Sequence, residues 1–139
     1  MIYVVSGYFA TFHNGHKEYI KSVIDRMNKD DKLIVIVANQ LQFKLKYIDY
    51  CPPIWKICKP IQNFLQDFND LNFEIIRAID RDTTVKETLS SIVENNPNDS
   101  VIFCKDGGEY DKENLPEKDV KGNNKKKENA SDILNIRKR

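Results

Sequence analysis

No run of apolar residues in the sequence approaches the roughly 20 that a helix needs to span a bilayer, so no membrane-spanning segment is predicted. The first residues, Met1 to Gly7, lack the basic cluster with which a secretory signal peptide begins. Cysteines are few and odd in number, and no two of Cys51, Cys58 and Cys104 have the close spacing of a metal-ligand pair. A disulfide framework and a structural zinc site are therefore not expected. The expected setting is reducing and cytoplasmic.

An excess of charge of either sign is also missing. Lys and Arg total 22 and Asp and Glu total 21, which gives a net charge of +1. A nucleic-acid-binding protein normally carries a basic excess on one face, so this balance gives no support for a nucleic-acid partner. The length of 139 residues is typical of one domain, and 40% hydrophobic with 31% charged residues is ordinary for a domain with a buried core. We expect residues 1–139 to form one domain.

Short β-branched runs alternate along the chain with segments of helical spacing. Strands are predicted over residues 2–6, 32–38, 72–79 and 100–104, and helices over 16–27, 52–68 and 83–95. This alternation predicts an α/β fold, a Rossmann-like doubly wound parallel sheet of four to five strands with helices on both faces. Ligands of such folds bind beyond the carboxyl ends of the strands, so chemistry is expected just after the first and fourth strands.

Three local features refine the predicted helices and loops. Pro60 lies inside the second predicted helix and should kink it or split it in two. Thr83 or Thr84 can cap the start of the third predicted helix. Beyond Cys104 the chain becomes polar and loop-rich over about 105–130, with no convincing strand, and a short helix is predicted from Ser131 onward.

Both histidines of the chain stand in one motif, His13-Asn14-Gly15-His16, between the first strand and the first helix. Gly15 has no Cβ, so its backbone can approach a ligand closely. A helix N-terminus presents unpaired N–H groups and a positive dipole end to an anion, and two imidazoles add donors for phosphate oxygens. Histidines at this spacing are often only capping residues, but the strand-to-helix context favours a phosphate site.

With this motif the sequence resembles the cytidylyltransferase-like superfamily of nucleotidyltransferases, whose members begin with a strand, then Gly, Phe and H-x-G-H. The resemblance covers nearly the whole chain and includes Lys44-Leu45-Lys46 where the family carries phosphate-contacting lysines. It is closest to the glycerol-3-phosphate cytidylyltransferases and sugar-phosphate adenylyltransferases. The segments that are similar to that branch are 80–89, 103–110 and 114–117, the last two resembling F-x-K-G-G-D and N-x-P-E.

The resemblance implies that CMP or AMP is transferred from CTP or ATP to a small phosphorylated sugar or polyol, with release of pyrophosphate. It implies Mg²⁺ that arrives with the nucleoside triphosphate, and it assigns no metal ligand to the protein. The catalytic residues that it implies are His13, His16, Lys44 and Lys46. The nucleotide-binding residues that it implies are Gly7, Tyr8, Phe9, Gly15, Gly107, Gly108 and Ser131. Homodimers are common in the family, so a homodimer is an alternative to a monomer.

Plainer interpretations of several of these residues stay open. Lys44 and Lys46 could be solvated, Ser131 could only cap a helix, and Gly107-Gly108 could only shape a turn. The basic run 125–127 has no aromatic platform beside it, which argues against nucleic-acid binding.

The chain also departs from the family pattern at four places. Ala10 replaces an acidic residue, and 50–56 lacks the usual Arg. Glu109 stands where the branch has Asp, after an extra Asp106, and 118–129 is too polar for the expected fifth strand. A catalytically impaired nucleotide-binding module of the same fold is therefore the alternative to an enzyme.

Overall fold

The computed structural model describes residues 1–105 and 117–119 of the chain. Strands and helices alternate over these residues. The strands are β1 (Ile2–Gly7), β2 (Lys32–Val37), β3 (Asn72–Arg77), β4 (Val101–Lys105) and β5 (Glu117–Asp119). The helices are α1 (Asn14–Ile24), α2 (Gln40–Lys46), α3 (Ile54–Gln66) and α4 (Lys86–Asn95). None of these helices combines the length and the apolar character that crossing a bilayer requires.

All the strands are parallel, and their order in the sheet is β3-β2-β1-β4-β5. The chain moves outward from β1 to β3 and then returns past β1 to form β4. With right-handed connections, this reversal places α1 and α3 on one face of the sheet and α4 on the other. The predicted doubly wound α/β sheet with helices on both faces is confirmed, and the switch in strand order falls between β1 and β4.

Two apolar clusters cover the two faces of the sheet, as the alternation of side chains along a strand requires. The larger cluster joins alternate strand residues such as Val5 and Val35 to the buried faces of α1 and α3. Its helical members include Tyr19, Ile20, Val23, Ile57, Ile61 and Leu65. The smaller cluster joins Val4 and Ile34 to Leu89 and Ile92 of α4. The sheet is therefore buried between two layers of helices.

Pro60 does not split the helix that contains it. The helix α3 runs without interruption from Ile54 to Gln66, so the expectation of two separate pieces is wrong. A proline removes one backbone donor, but Ile57, Ile61 and Leu65 recur every four residues on the buried face. Packing of this apolar face against the sheet outweighs the loss of one hydrogen bond.

A fifth strand is present where the sequence predicts none. The strand β5 pairs in parallel with β4, with Phe103 opposite Glu117 and Lys105 opposite Asp119. It lies at the edge of the sheet, where pairing needs only backbone groups and charged side chains are well tolerated. The inference that polarity excludes a strand from residue 118 onward is wrong for this short segment.

Candidate functional site

The end of β1, the turn that follows it and the start of α1 lie at the carboxyl edge of the sheet. This is also the point where the strand order reverses, between β1 and β4. Tyr19 of α1 ties the helix to the neighbouring strand, because its hydroxyl donates a hydrogen bond to the carbonyl oxygen of Cys104. The fold therefore holds the N-terminus of α1 where doubly wound sheets bind their ligands.

The two histidines cap this helix through their side chains. His13 is the N-cap residue, and its Nδ1 accepts a hydrogen bond of 3.0 Å from the backbone N–H of Gly15. The backbone N–H of His13 in turn donates to Nδ1 of His16 at 3.3 Å. This reciprocal arrangement is a capping box in which imidazoles replace the usual hydroxyl and carboxylate groups. The capping role that the sequence leaves open for these histidines is therefore present in the structure.

The capping bonds decide which nitrogen of each ring carries the proton. A ring nitrogen that accepts a hydrogen bond has no hydrogen, so the neutral rings of His13 and His16 carry theirs on Nε2. The two rings also stack, with centroids 3.9 Å apart and planes inclined by 18°. Each ring therefore retains one N–H donor that the helix cap does not use, and the two donors belong to rings in direct contact.

Gly15 makes room for the ring of His13. A Cβ atom added at Gly15 would lie 2.8 Å from Cε1 and 3.1 Å from Nδ1 of His13, closer than ordinary van der Waals contact. The glycine therefore has a role in the protein itself, in addition to the close approach to a ligand that the sequence predicts. Any larger residue at this position would displace the capping imidazole.

Gly7 and Phe9 form a second close contact in the same turn. Phe9 has a backbone φ of 51°, a left-handed conformation that is uncommon for a residue other than glycine. Its ring is buried, and a Cβ at Gly7 would lie 3.0 Å from the ring atom Cζ. The ring also meets the edge of His16, with centroids 5.0 Å apart. Phe9 therefore packs against His16, and Gly7 leaves room for its ring.

Of the two candidate lysines, one is packed against the turn. The ammonium nitrogen of Lys46, at the end of α2, lies 4.1 Å from the centroid of the Tyr8 ring and 5.5 Å from that of Tyr47. Burial, with a smaller effect from Tyr47, raises the pKa of Tyr8 to about 12, so its ring stays neutral beside the cation. Lys44 is exposed on the same helix. The structure thus places Lys46 against Tyr8, the residue that follows Gly7.

The helix that carries both lysines was missed by the sequence reasoning, which placed them in a polar connection. Asn39 and Gln42 form its capping box: Asn39 Oδ1 accepts from the Gln42 N–H at 2.9 Å and Gln42 Oε1 accepts from the Asn39 N–H at 3.0 Å. The Asn-x-x-Gln spacing was a readable signal, since it is close to the usual capping-box pattern.

The same two amides hold the segment that follows β3. Asn39 Nδ2 donates to the carbonyl oxygens of Ala78 and Asp80, and Gln42 Nε2 donates to those of Asp82 and Thr84. Gln42 is buried, and the hydrogen bonds satisfy its whole amide group. The start of α2 thereby fixes residues 78–84 at the same edge of the sheet as the histidines.

Asp80 is the main cap of α4. The buried Asp80 carboxylate accepts from the backbone N–H groups of Glu87 and Thr88 at 2.8 and 3.1 Å, and from the Thr88 hydroxyl at 2.5 Å. The N-cap residue Val85 has no side-chain cap. The predicted threonine cap is therefore only a minor part of the helix start: the Thr84 hydroxyl accepts a long hydrogen bond of 3.5 Å from the Lys86 N–H, while Asp80, five positions upstream of Val85, makes the shorter bonds.

Thr84 also contributes to the turn before the helix. Its backbone N–H and hydroxyl donate to Asp82 Oδ1 at 2.9 and 2.6 Å, and these hydrogen bonds lower the pKa of the Asp82 carboxyl. The carboxylate therefore stays ionised and keeps its acceptor role in the turn.

Three predicted nucleotide-binding residues, Gly107, Gly108 and Ser131, lie outside the described residues. Within the part of the chain that the structure describes, no group of three or more His, Cys, Asp and Glu side chains could hold a metal ion. The described site therefore consists of the histidine pair, the turn around it and Lys46, which packs on Tyr8 of that turn.

A scan against models of protein families gives no match to this chain. A search of curated proteins gives no match either.

Proposed function

We propose that the protein is a nucleotidyltransferase. In this reaction CMP or AMP passes from CTP or ATP to a small sugar phosphate or polyol phosphate, and pyrophosphate is released. The observation that carries the proposal is the histidine pair: two stacked imidazoles, each with Nε2–H to donate, at the first turn of a helix beside the switch point of a parallel sheet. Such an arrangement suits an anion with several oxygens.

The proposed step is a single displacement at the α-phosphorus. A phosphate oxygen of the acceptor forms a bond to that phosphorus, and the bond from the phosphorus to the bridging oxygen breaks. The bridging oxygen keeps the electron pair, so pyrophosphate leaves. Positioning and charge stabilisation supply most of the catalysis in such transfers, and no covalent intermediate with the protein is required.

In this proposal His13 and His16 donate their Nε2–H groups to the phosphoryl oxygens on which charge develops. Because their Nδ1 atoms are engaged by the backbone, the donors are set before the substrate binds. Donors fixed in this way need not reorganise during the reaction, which is the main source of electrostatic stabilisation in enzymes. The helix N-terminus adds its positive dipole end at the same place.

Lys46 would supply a positive charge beside these donors. The Tyr8 and Tyr47 rings hold its ammonium group at the side of the turn through cation–π contacts. Lysine acts on a phosphate as a compact point charge, so it can neutralise the triphosphate or the acceptor phosphate without exact geometry. Lys44, two residues earlier and exposed, is the second candidate for this role.

In this proposal Mg²⁺ binds only together with the nucleoside triphosphate. The described residues offer no cluster of ligands for it, so no step above is assigned to the ion.

One observation favours the alternative of a nucleotide-binding module without transferase activity. The start of α3 has Pro53 as an N-cap without a side-chain cap and no acidic residue in its first turn, and Trp55 is 62% exposed. If the acceptor binds near this helix, the polar groups that would hold it are few. Nucleotide binding without turnover is the outcome that this alternative predicts.

A pyrophosphate-release screen tests the proposal. The wild-type protein would be incubated with CTP or ATP, Mg²⁺ and a panel of phosphorylated sugars and polyols, with each nucleotide alone as the blank. We expect acceptor-dependent release with at least one pair, abolished in His16→Ala and retained in Asn14→Ala, an exposed neighbour in the same motif. Nucleotide binding without release from any pair would instead support the binding module.

A further inference from the structure

The ring of His16 is enclosed by aromatic neighbours on more than one side. The His13 ring stacks on it, and the Phe9 ring meets its edge. The Phe12 ring lies nearly parallel to it as well, with planes inclined by 17° and centroids 5.9 Å apart. Phe12 thus adds a third aromatic contact to a ring whose direction matters for function.

Phe12 is itself anchored to a different element of the fold. Its ring meets that of Phe64 on α3 edge to face, with centroids 5.5 Å apart, and Phe64 meets Phe68 in the same way at 5.2 Å. The ammonium nitrogen of Lys17 lies 5.9 Å from the centroid of the Phe12 ring. A row of aromatic side chains therefore runs from the C-terminal part of α3 to His16.

The hydrogen bond to Nδ1 of His16 is longer than the corresponding bond to His13. The distance from the His13 backbone nitrogen to Nδ1 of His16 is 3.3 Å, at the long end for an N–H donor, whereas the corresponding bond to His13 is 3.0 Å. Rotation about the bond from Cβ to the ring would turn Nε2 away from its present direction. Contacts on the faces and the edge of the ring oppose that rotation.

We propose that Phe12 is a positioning residue for His16. Its ring, held by Phe64, keeps the imidazole in the orientation in which Nε2–H would donate to a phosphoryl oxygen. The consequence for catalysis rests on the proposed nucleotidyl transfer, but the restraint of the ring does not. Displacement of a catalytic group by about 1 Å can lower a rate by about a hundredfold, so a restraint of this kind has a measurable effect.

The turn around Phe12 has supports of its own. Phe9 packs beneath Gly7, and the capping box fixes His13 and His16 to the first turn of α1. Phe12 is only half-buried, whereas Phe9 is 2% exposed. Removal of the Phe12 ring should therefore leave the fold in place while it loosens the imidazole.

The test uses four variants of the full chain: Phe12→Ala, Phe12→Leu, Phe12→Tyr and Phe68→Ala. Phe12→Leu keeps apolar volume without a ring, and Phe12→Tyr keeps the ring. Phe68→Ala removes the next ring of the row, which contacts Phe64. For each variant the ring nitrogen and proton resonances of His16 are recorded by NMR without ligand, and kcat and KM are measured for the most active nucleotide and acceptor pair.

We expect Phe12→Ala and Phe12→Leu to shift and broaden the His16 resonances and to lower kcat about ten- to a hundredfold, with a smaller change in KM. Phe12→Tyr should restore both quantities, and Phe68→Ala should change neither. His16 resonances that are the same in Phe12→Leu as in the wild type would overturn the proposal. An equal effect of Phe68→Ala would also overturn it, because the role of Phe12 would then be general packing.

The two arms separate this proposal from the proposed function. If the wild-type protein turns over no pair, nucleotidyl transfer fails, while the NMR arm still decides whether Phe12 restrains His16. If turnover is present and the NMR arm shows no change, the positioning role fails and the proposed function stands.

Discussion

The imidazole rings of His13 and His16 lie face to face, 3.9 Å apart, and each has its Nδ1 turned to a backbone N–H at the start of the same helix. The two side chains therefore cap the helix through Nδ1. The turn around them is tight: a Cβ atom at Gly7 would crowd the Phe9 ring, and one at Gly15 would crowd the His13 ring.

Both neutral histidines should carry their proton on Nε2. The physical reason is that each Nδ1 accepts a backbone hydrogen bond, at 3.0 Å for His13 and 3.3 Å for His16. Two-bond ¹⁵N–¹H correlation spectra of the ring nitrogens distinguish the tautomers directly. A ring with its hydrogen on Nδ1 would show that the capping box is not formed in solution.

Gly15→Ala should damage the site more than it damages the fold. Alanine has a higher helix propensity than glycine by about 1 kcal/mol, which favours the helix, but its Cβ would lie 2.8 Å from Cε1 of His13. We expect nearly unchanged stability to urea and a loss of pyrophosphate release of at least about tenfold. Asn14→Ala, one position earlier, is the control. Equal activity in both variants would show that the His13 ring has room to move.

Asp80→Ala should destabilise the protein by about 1–3 kcal/mol in urea unfolding, because the buried carboxylate accepts the hydrogen bonds that start α4. Thr83→Ala is the matched control: this residue is exposed, so its loss should cost less than about 0.5 kcal/mol. A larger loss of stability in Thr83→Ala than in Asp80→Ala would show that the threonine caps the helix, as the sequence predicts.

Tyr8 should make stability depend on pH in the alkaline range. Burial raises its folded-state pKa from 10.0 to about 12, so the unfolded chain loses the Tyr8 proton first as pH rises. Its contribution to stability is therefore complete below pH 10.0 and is lost between pH 10.0 and about 12. Tyr8→Phe should flatten this part of the curve of unfolding free energy against pH. An identical slope in the variant would contradict the burial of this hydroxyl.

The sequence predicts the sheet and the place of the site because both follow from local signals. The runs at β1 and β2 are β-branched and continuous, and the spacing of Tyr19, Ile20 and Val23 defines the buried face of α1. The H-x-G-H motif follows the first strand, and the topology of a doubly wound sheet then places it at the carboxyl edge.

The features that the sequence did not reveal depend on contacts between distant segments. Asp80 caps a helix from which it is separated by a turn, and Gln42 is buried because its amide meets carbonyl groups about forty residues later. No helix was predicted at α2, and polarity predicted a loop at β5, although capping and edge pairing allow ordered elements there. Pro60 was expected to kink α3 or split it in two, but the packing of the apolar face keeps it one helix.

Turnover by the wild-type protein and by His16→Ala in one pyrophosphate-release assay tests the central claim most directly. The proposal predicts acceptor-dependent release by the wild type, with a product whose mass equals the acceptor plus CMP or AMP, and none above the blank by His16→Ala, whose fold is verified by circular dichroism. Undiminished release by His16→Ala, or no release by the wild type with any acceptor, would contradict it.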